Sequence, residues 1–183
     1  MTTDQVQTGL LARIIAEPAE DVWRLILADR LEEIGLSEQA SFVRVQVALA
    51  AEQHQPALCR VTGVCARCNR VLASRRREQQ LFSWRNAVVW SAQGNADLGW
   101  KIANHEPITT TCKLQGTGTP TITFRRGFIE AIACVSADWL QHGPSIMAAW
   151  PITHVTLTDL HPQERDYGGG DERWCWWQHL IPA

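Results

Sequence analysis

His54-Gln55-Pro56-Ala57-Leu58-Cys59-Arg60-Val61-Thr62-Gly63-Val64-Cys65-Ala66-Arg67-Cys68 is the stretch whose reading decides the fold. Cys65 and Cys68 form a Cys-x-x-Cys pair, a spacing that lets two thiolates close on one metal from a tight turn. Gly63 loosens the loop that feeds the pair. With Cys59 and His54 the segment offers four soft or borderline nitrogen and sulfur ligands, the tetrahedral set that structural zinc prefers. The expected ligands are therefore His54, Cys59, Cys65 and Cys68, and the expected cofactor is structural Zn2+. His105 or Cys112 would supply the fourth ligand in place of His54 if the loop folds against the second half. A redox Cys-x-x-Cys fits less well, because that motif opens a helix after a strand and has no third thiol close by.

Around this loop the first half reads as helices. Val6, Leu10, Ile14 and Leu11, Ile15 recur at helical spacing up to Glu17-Pro18. Pro18 suits the first turn of a second helix, with Glu20 and Asp21 at its positive end. That helix sets Trp23, Leu27, Leu31 and Ile34 on one stripe and stops at Gly35. A third runs from about Ser37 to Gln53 with Phe42, Val45 and Leu49 inward. A fourth leaves the Cys-x-x-Cys turn from Asn69 to about Trp84.

The second half changes character. Thr109 to Leu114 and Thr121 to Arg125 are short and β-branched, and Phe128 to Val135 alternates with strand periodicity. Arg126-Gly127 makes the turn between two of these strands. Ser136 caps a helix that reaches Ala149, where Pro151 stops it, and Ile152 to Thr158 is a further strand. Asp166 to Asp171 reads as a glycine-rich loop, and Arg173 to Leu180 as a last strand. The expectation is an α+β protein. Residues 1–90 form a helical subdomain stapled by zinc. Residues 91–183 form a small α+β subdomain of short, mostly antiparallel strands plus one helix, packed against the first.

Composition sets the outer bounds. A chain of 183 residues with 45% hydrophobic and 20% charged residues is an ordinary globular length and make-up. The net charge of −2 exerts no overall pull toward nucleic acid or membrane. The distribution is uneven, however. Glu17, Glu20, Asp21, Asp29, Glu32, Glu33 and Glu38 make one segment acidic, whereas Arg60, Arg67, Arg70, Arg75, Arg76, Arg77 and Arg85 make another basic. Met1 to Gly9 lacks the basic start and apolar core of a signal peptide, so the expected compartment is the cytoplasm and the six cysteines are expected as thiols or thiolates.

Glu17-Pro18-Ala19-Glu20-Asp21-Val22-Trp23-Arg24-Leu25-Ile26-Leu27-Ala28-Asp29-Arg30-Leu31-Glu32-Glu33-Ile34-Gly35 resembles the repeat-companion domain common in planctomycete proteins. Ala40-Ser41-Phe42-Val43-Arg44-Val45-Gln46 is similar to its second block. Arg75-Arg76-Arg77-Glu78 and Arg126-Gly127-Phe128-Ile129-Glu130 resemble later segments of such proteins. Arg30 stands where that family usually has tryptophan. The resemblance implies a binding or companion role and no catalytic residues.

Nine tryptophans against one tyrosine point first to core packing, and second to an exposed binding surface at Trp174, Trp176 and Trp177. No His-Glu-x-x-His, Gly-x-Ser-x-Gly or phosphate-loop motif occurs, so no catalytic residue is assigned and the chain is read as no enzyme. The functional expectation is a non-catalytic protein-interaction module with a structural zinc site, working through a protein partner or self-association and without a membrane. The alternative is a nucleic-acid-binding zinc protein that uses the arginine-rich helix after the Cys-x-x-Cys turn.

Overall fold

The computed structural model describes residues 3–59, 65–83, 86, 87, 89, 90, 102–105, 111–114 and 120–160. Four helices come first: α1 (Thr3–Ala16), α2 (Asp21–Glu33), α3 (Ser37–Ala51) and α4 (Ala66–Leu81), with a 3-10 turn at Pro56–Leu58. They are followed by β1 (Ile102–His105), β2 (Thr111–Leu114), β3 (Thr121–Arg125), β4 (Phe128–Cys134), α5 (Ser136–Ala149) and β5 (His154–Leu157). The strands form one sheet in the order β1-β2-β3-β4-β5. All neighbouring pairs are antiparallel except β4 and β5, which run parallel because α5 carries the chain back between them. This is the α+β architecture expected: a helical N-terminal half, then short and mostly antiparallel strands with one helix. Asp166–Asp171 and Arg173–Leu180 lie outside the described residues.

Local chemistry explains most boundaries. Gly35 has φ +86, and the N–H groups of Gly35 and Leu36 reach back to the carbonyls of Glu32 and Leu31 at 3.0 and 2.8 Å. That is the paired bond pattern of a glycine-terminated helix end. Pro18 does not open α2. The Glu20 N–H donates to the Glu17 carbonyl at 3.0 Å, closing a turn in which Pro18 takes the second position and its fixed φ fits. Helix α2 therefore starts at Asp21. Nor does Ser136 cap α5 from its own side chain. Its N–H and hydroxyl donate to the two carboxylate oxygens of Asp159, at 2.8 and 2.6 Å. A carboxylate beyond β5 thus satisfies the first N–H of the helix. The Ser136 hydroxyl and N–H hold the Asp159 carboxyl below its ordinary value, so its stabilising effect is present above that value and fades as pH falls through the depressed one.

An aromatic cluster joins the helices to the sheet. Phe42 of α3 stacks on Trp90 (centroids 4.5 Å apart) and Phe82 (5.4 Å), and meets Phe124 of β3 edge-on at 6.2 Å. Phe82 also meets Phe124 edge-on at 5.2 Å. Trp90 and Trp150 are both core residues. On α3 the inward set is Phe42, Val43, Gln46 and Val47, with Val45 half-buried. On α2 the inward set is Arg24, Leu27, Ala28 and Leu31, while Trp23 is half-buried and Ile34 exposed.

Arg24 is the surprise on that stripe, because its side chain is fully buried. It donates to Glu130 Oε1 at 2.8 Å and to the Glu20 carbonyl at 3.2 Å, and its guanidinium lies 5.7 Å from the Phe128 ring centre. Burial lowers its pKa, against which the Glu130 charge works. Glu130, on β4, is 2% exposed. It accepts a second cation, Arg126, through Nε to Oε1 and Nη2 to Oε2, each at 3.0 Å. Beside this network Gln46 clasps the β3–β4 turn. Its Oε1 accepts the Gly127 N–H at 2.7 Å, and its amide donates to the Phe124 carbonyl at 3.2 Å and to Glu78 at 2.8 Å. Gly127 has φ +88, and a Cβ there would sit 2.5 Å from Val43 Cγ2. Backbone and helix touch, so only glycine fits.

Removing one member of a buried ion pair strands the other, at a cost of about 3–5 kcal/mol. Glu130→Ala should therefore lower the melting temperature by roughly 6–20 °C, at roughly 2–4 °C per kcal/mol for a chain of this length. The double variant Arg24→Met, Glu130→Leu should recover most of that loss, because neither charge is then buried alone. Thermal melts of the three proteins check both expectations.

Candidate metal centre

The corner between α3 and α4 is built by three local devices. Helix α3 ends at Ala51, and Glu52 takes an extended conformation whose carboxylate accepts the His54 N–H at 2.9 Å. This bond turns the chain and sets the imidazole. Pro56 then opens the 3-10 turn, and the Cys59 N–H closes it onto the Pro56 carbonyl at 3.2 Å. Finally Cys65 takes the N-cap position of α4, and its sulfur accepts the Cys68 N–H at 3.5 Å. Serine or aspartate usually plays that role. This is why α4 starts at Ala66 rather than at Asn69: the thiolate-bearing residue is itself the cap.

These devices bring His54, Cys59, Cys65 and Cys68 together, with their ligand atoms all within 4.8 Å of one another. His54 Nε2 lies 3.0 Å from Cys68 Sγ and 3.6 Å from Cys65 Sγ. A tetrahedral zinc, with bonds of about 2.3 Å to sulfur and about 2.0 Å to nitrogen, holds its ligand atoms about 3.5–3.8 Å apart. The cluster therefore has the donor chemistry and the spacing to hold a metal ion. All four residues are half-buried, so a chelator or an entering ion can reach them. His105 and Cys112 are register partners in β1 and β2, but their side chains lie outside the described residues.

Electrostatics separates the three thiols. Cys65 is lowered to about 6, chiefly by the Cys68 N–H at the start of α4 and further by the thiols of Cys68 and Cys59. Cys68 is pushed up to about 12, first by desolvation and then because its proton is shared with the Cys59 and Cys65 sulfurs. Sulfurs this close cannot all carry negative charge in the absence of a cation, and a cation placed among them would remove the conflict.

The other residues singled out in the sequence fall elsewhere. Arg67, Arg70, Arg75, Arg76 and Arg77 are all exposed or half-buried on α4, and none makes an ion pair among the described residues. The acids of α2 pair instead with Arg44 of α3 (Asp29 at 2.7 Å, Glu32 at 2.6 Å), with Arg30 and with Arg126. His154 opens β5 and is exposed, whereas His161, His179, Trp174, Trp176 and Trp177 lie outside the described residues. Sequence reasoning misses the buried set of Arg24, Gln46 and Glu130, with the half-buried Arg126 beside it. Its signal is a charge at inward-facing positions: Arg24 in register with Leu27, Ala28 and Leu31, and Glu130 in register with Phe128, Ile132 and Cys134. Comparisons with protein-family models, with curated proteins and with solved structures find no match.

In metal-free protein at pH 7, iodoacetamide should alkylate Cys65 first and Cys68 last of the three cluster thiols. The Cys65 rate should fall as pH drops through about 6, where its thiolate takes up a proton. Mass spectrometry of timed digests reads this order.

Proposed function

We propose that this protein is a non-catalytic protein-interaction module whose helical half is stapled by a structural Zn2+ bound to His54, Cys59, Cys65 and Cys68. The observation that carries the reading is the convergence of one imidazole and three sulfurs at the α3–α4 corner. Four protein ligands complete a tetrahedral shell and leave no position for substrate, which is the arrangement of structural rather than catalytic zinc. The ion locks α4 to the end of α3 and so fixes which surfaces both helices present.

The outward face of α2 supports the interaction role. Val22, Leu25 and Ile26 share it and are 50%, 40% and 41% exposed, a contiguous apolar strip beside Asp29, Glu32 and Glu33. An apolar strip with a polar rim is the usual make-up of a protein-binding surface. The resemblance of Glu17–Gly35 to the repeat-companion domain points the same way. No helix among the described residues is long and apolar enough to cross a membrane. A cytoplasmic setting belongs to this reading, since it keeps the thiols reduced and free to bind metal.

One observation favours a second reading, a nucleic-acid-binding zinc protein. The arginines of α4 have no acidic partners among the described residues, so their charge is available to phosphates.

Protein purified without added metal should carry about one equivalent of zinc, bound tetrahedrally. Chelation should speed hydrogen exchange across His54 to Leu81, because metal binding and folding of the corner are coupled. Less than about a tenth of an equivalent would overturn the metal assignment. For the interaction role, Val22→Ser with Ile26→Ser should abolish self-association in sedimentation or capture of a protein partner, with the melting temperature unchanged. Steeply salt-dependent binding of DNA or RNA, lost on Arg75, Arg76 and Arg77→Ala, would select the second reading instead.

A further inference from the structure

The first part of α4 has little to hold it except the metal cluster. Between Ala66 and Arg77 only Val71 is buried, with Cys68 and Ser74 half-buried. The far end of the helix is held differently: Leu81 and Phe82 belong to the core, and Glu78 accepts from Gln46 at 2.8 Å. A helix start with so few apolar contacts opens at small cost once its local clasp is gone.

The clasp has two sides. His54 and Cys59 come from the segment after α3, whereas Cys65 and Cys68 belong to the start of α4. A bond between sulfurs of opposite sides would keep α4 tied to the corner. A bond between Cys65 and Cys68 would do the reverse, because it takes both ligands of α4 out of the shell and leaves the other side empty-handed. The geometry favours this second bond. Cys65 is the N-cap and already folds its sulfur onto the Cys68 N–H, 3.5 Å away. Only Ala66 and Arg67 separate the two, whereas five residues separate Cys59 from Cys65, and the shorter loop closes at the smaller entropic cost. A Cys-x-x-Cys pair at a helix start is also the arrangement used in thiol–disulfide exchange. The four ligand atoms lie within 4.8 Å of one another and all four residues are half-buried, so a small oxidant reaches the sulfurs and they reach each other. Cys134, at 1% exposure, is out of such reach.

We propose that the corner is a redox-released clasp: a peroxide joins Cys65 to Cys68, the zinc leaves, and the first part of α4 comes away from the end of α3. The inference rests on the zinc reading above and adds regulation to it. One of the two thiolates takes a hydroxyl from hydrogen peroxide and becomes a sulfenic acid, while the other half of the peroxide departs as hydroxide. The second thiolate attacks that sulfur and expels its hydroxyl as another hydroxide, forming the disulfide. Two electrons pass from the sulfurs to the peroxide, and Zn2+ is released unchanged. A disulfide sulfur carries no charge for the ion, and His54 with Cys59 does not complete its shell.

Treatment of the full zinc-bound chain with hydrogen peroxide tests the clasp. A zinc-sensitive dye should report release of about one equivalent. Trypsin cuts after Arg60 and Arg67, so the three cluster cysteines fall on separate peptides and mass spectrometry identifies the bridge directly. The expected bridge is Cys65–Cys68. Hydrogen exchange should rise about tenfold or more over residues 66–77, and by less over residues 78–82. Dithiothreitol with added zinc should restore the slow exchange. Release without a bridge, a bridge that includes Cys59, or a Cys65–Cys68 bridge with exchange unchanged over residues 66–77 would each overturn the proposal. Elemental analysis before the oxidant keeps the two readings apart. Less than about a tenth of an equivalent of zinc at that stage overturns the metal assignment, and the clasp with it. A full equivalent that stays bound through peroxide treatment overturns the clasp alone.

Discussion

A carboxylate in the core sets the terms for the rest of this structure. Glu130 sits on β4 at a position with almost no solvent, and an unpaired charge there would cost a large part of a small protein's margin of stability. Two cations must reach it, and they come from different places. Arg24 approaches from α2 across a separation of 106 residues, and Arg126 from the turn four residues before it. The position of α2 over the sheet is therefore fixed by a bond with direction as well as by apolar contact. Gln46 does the same for α3, holding both ends of the β3–β4 turn with one amide. Apolar surfaces slide over one another at small cost, whereas these hydrogen bonds tolerate one register.

The cluster of His54, Cys59, Cys65 and Cys68 acts over a different range. Its ligands span fifteen consecutive positions, and everything they organise lies at the α3–α4 corner. The helices of the first half thus meet two constraints of opposite kind. One is local and set by thiolate chemistry, and the other is distant and set by a buried charge. They converge on α4, whose N-terminus belongs to the metal cluster while Glu78, three turns on, is bonded to Gln46.

Much of this could be read in the sequence because it is local. The Cys-x-x-Cys spacing, the glycine that ends α2, the Arg126-Gly127 turn and the helix from Ser136 to Ala149 each depend on neighbours a few residues away. So does the whole proposed ligand set. The features that could not be read depend on contacts between distant segments. Pro18 fits a helix start and a turn equally well, and the choice falls to a backbone bond from Glu20 to Glu17. Ser136 has the chemistry of a cap, yet Asp159, from beyond the next strand, takes the bond. Arg24 and Glu130 each look like a solvated charge until both are seen to face the same core. Val45, read as inward, proves less buried than Gln46, because the amide and not the valine has partners inside.

The β3–β4 turn has a consequence for the order of events during folding. Arg126 and Gly127 both have positive φ, at 48° and 88°, the backbone signature of the tightest two-residue hairpin. Glycine adopts it freely, but arginine does so against its own steric preference. Beyond the strand pairing itself, the turn gains bonds from Gln46 and from the Glu130 network, so docking of α3 favours the bend. Hairpins usually close in microseconds and guide the later steps of folding. Here the docked helices supply bonds that the hairpin alone would lack, so closing of the turn is expected to be coupled to docking of α3 and to the distant contact between residues 24 and 130.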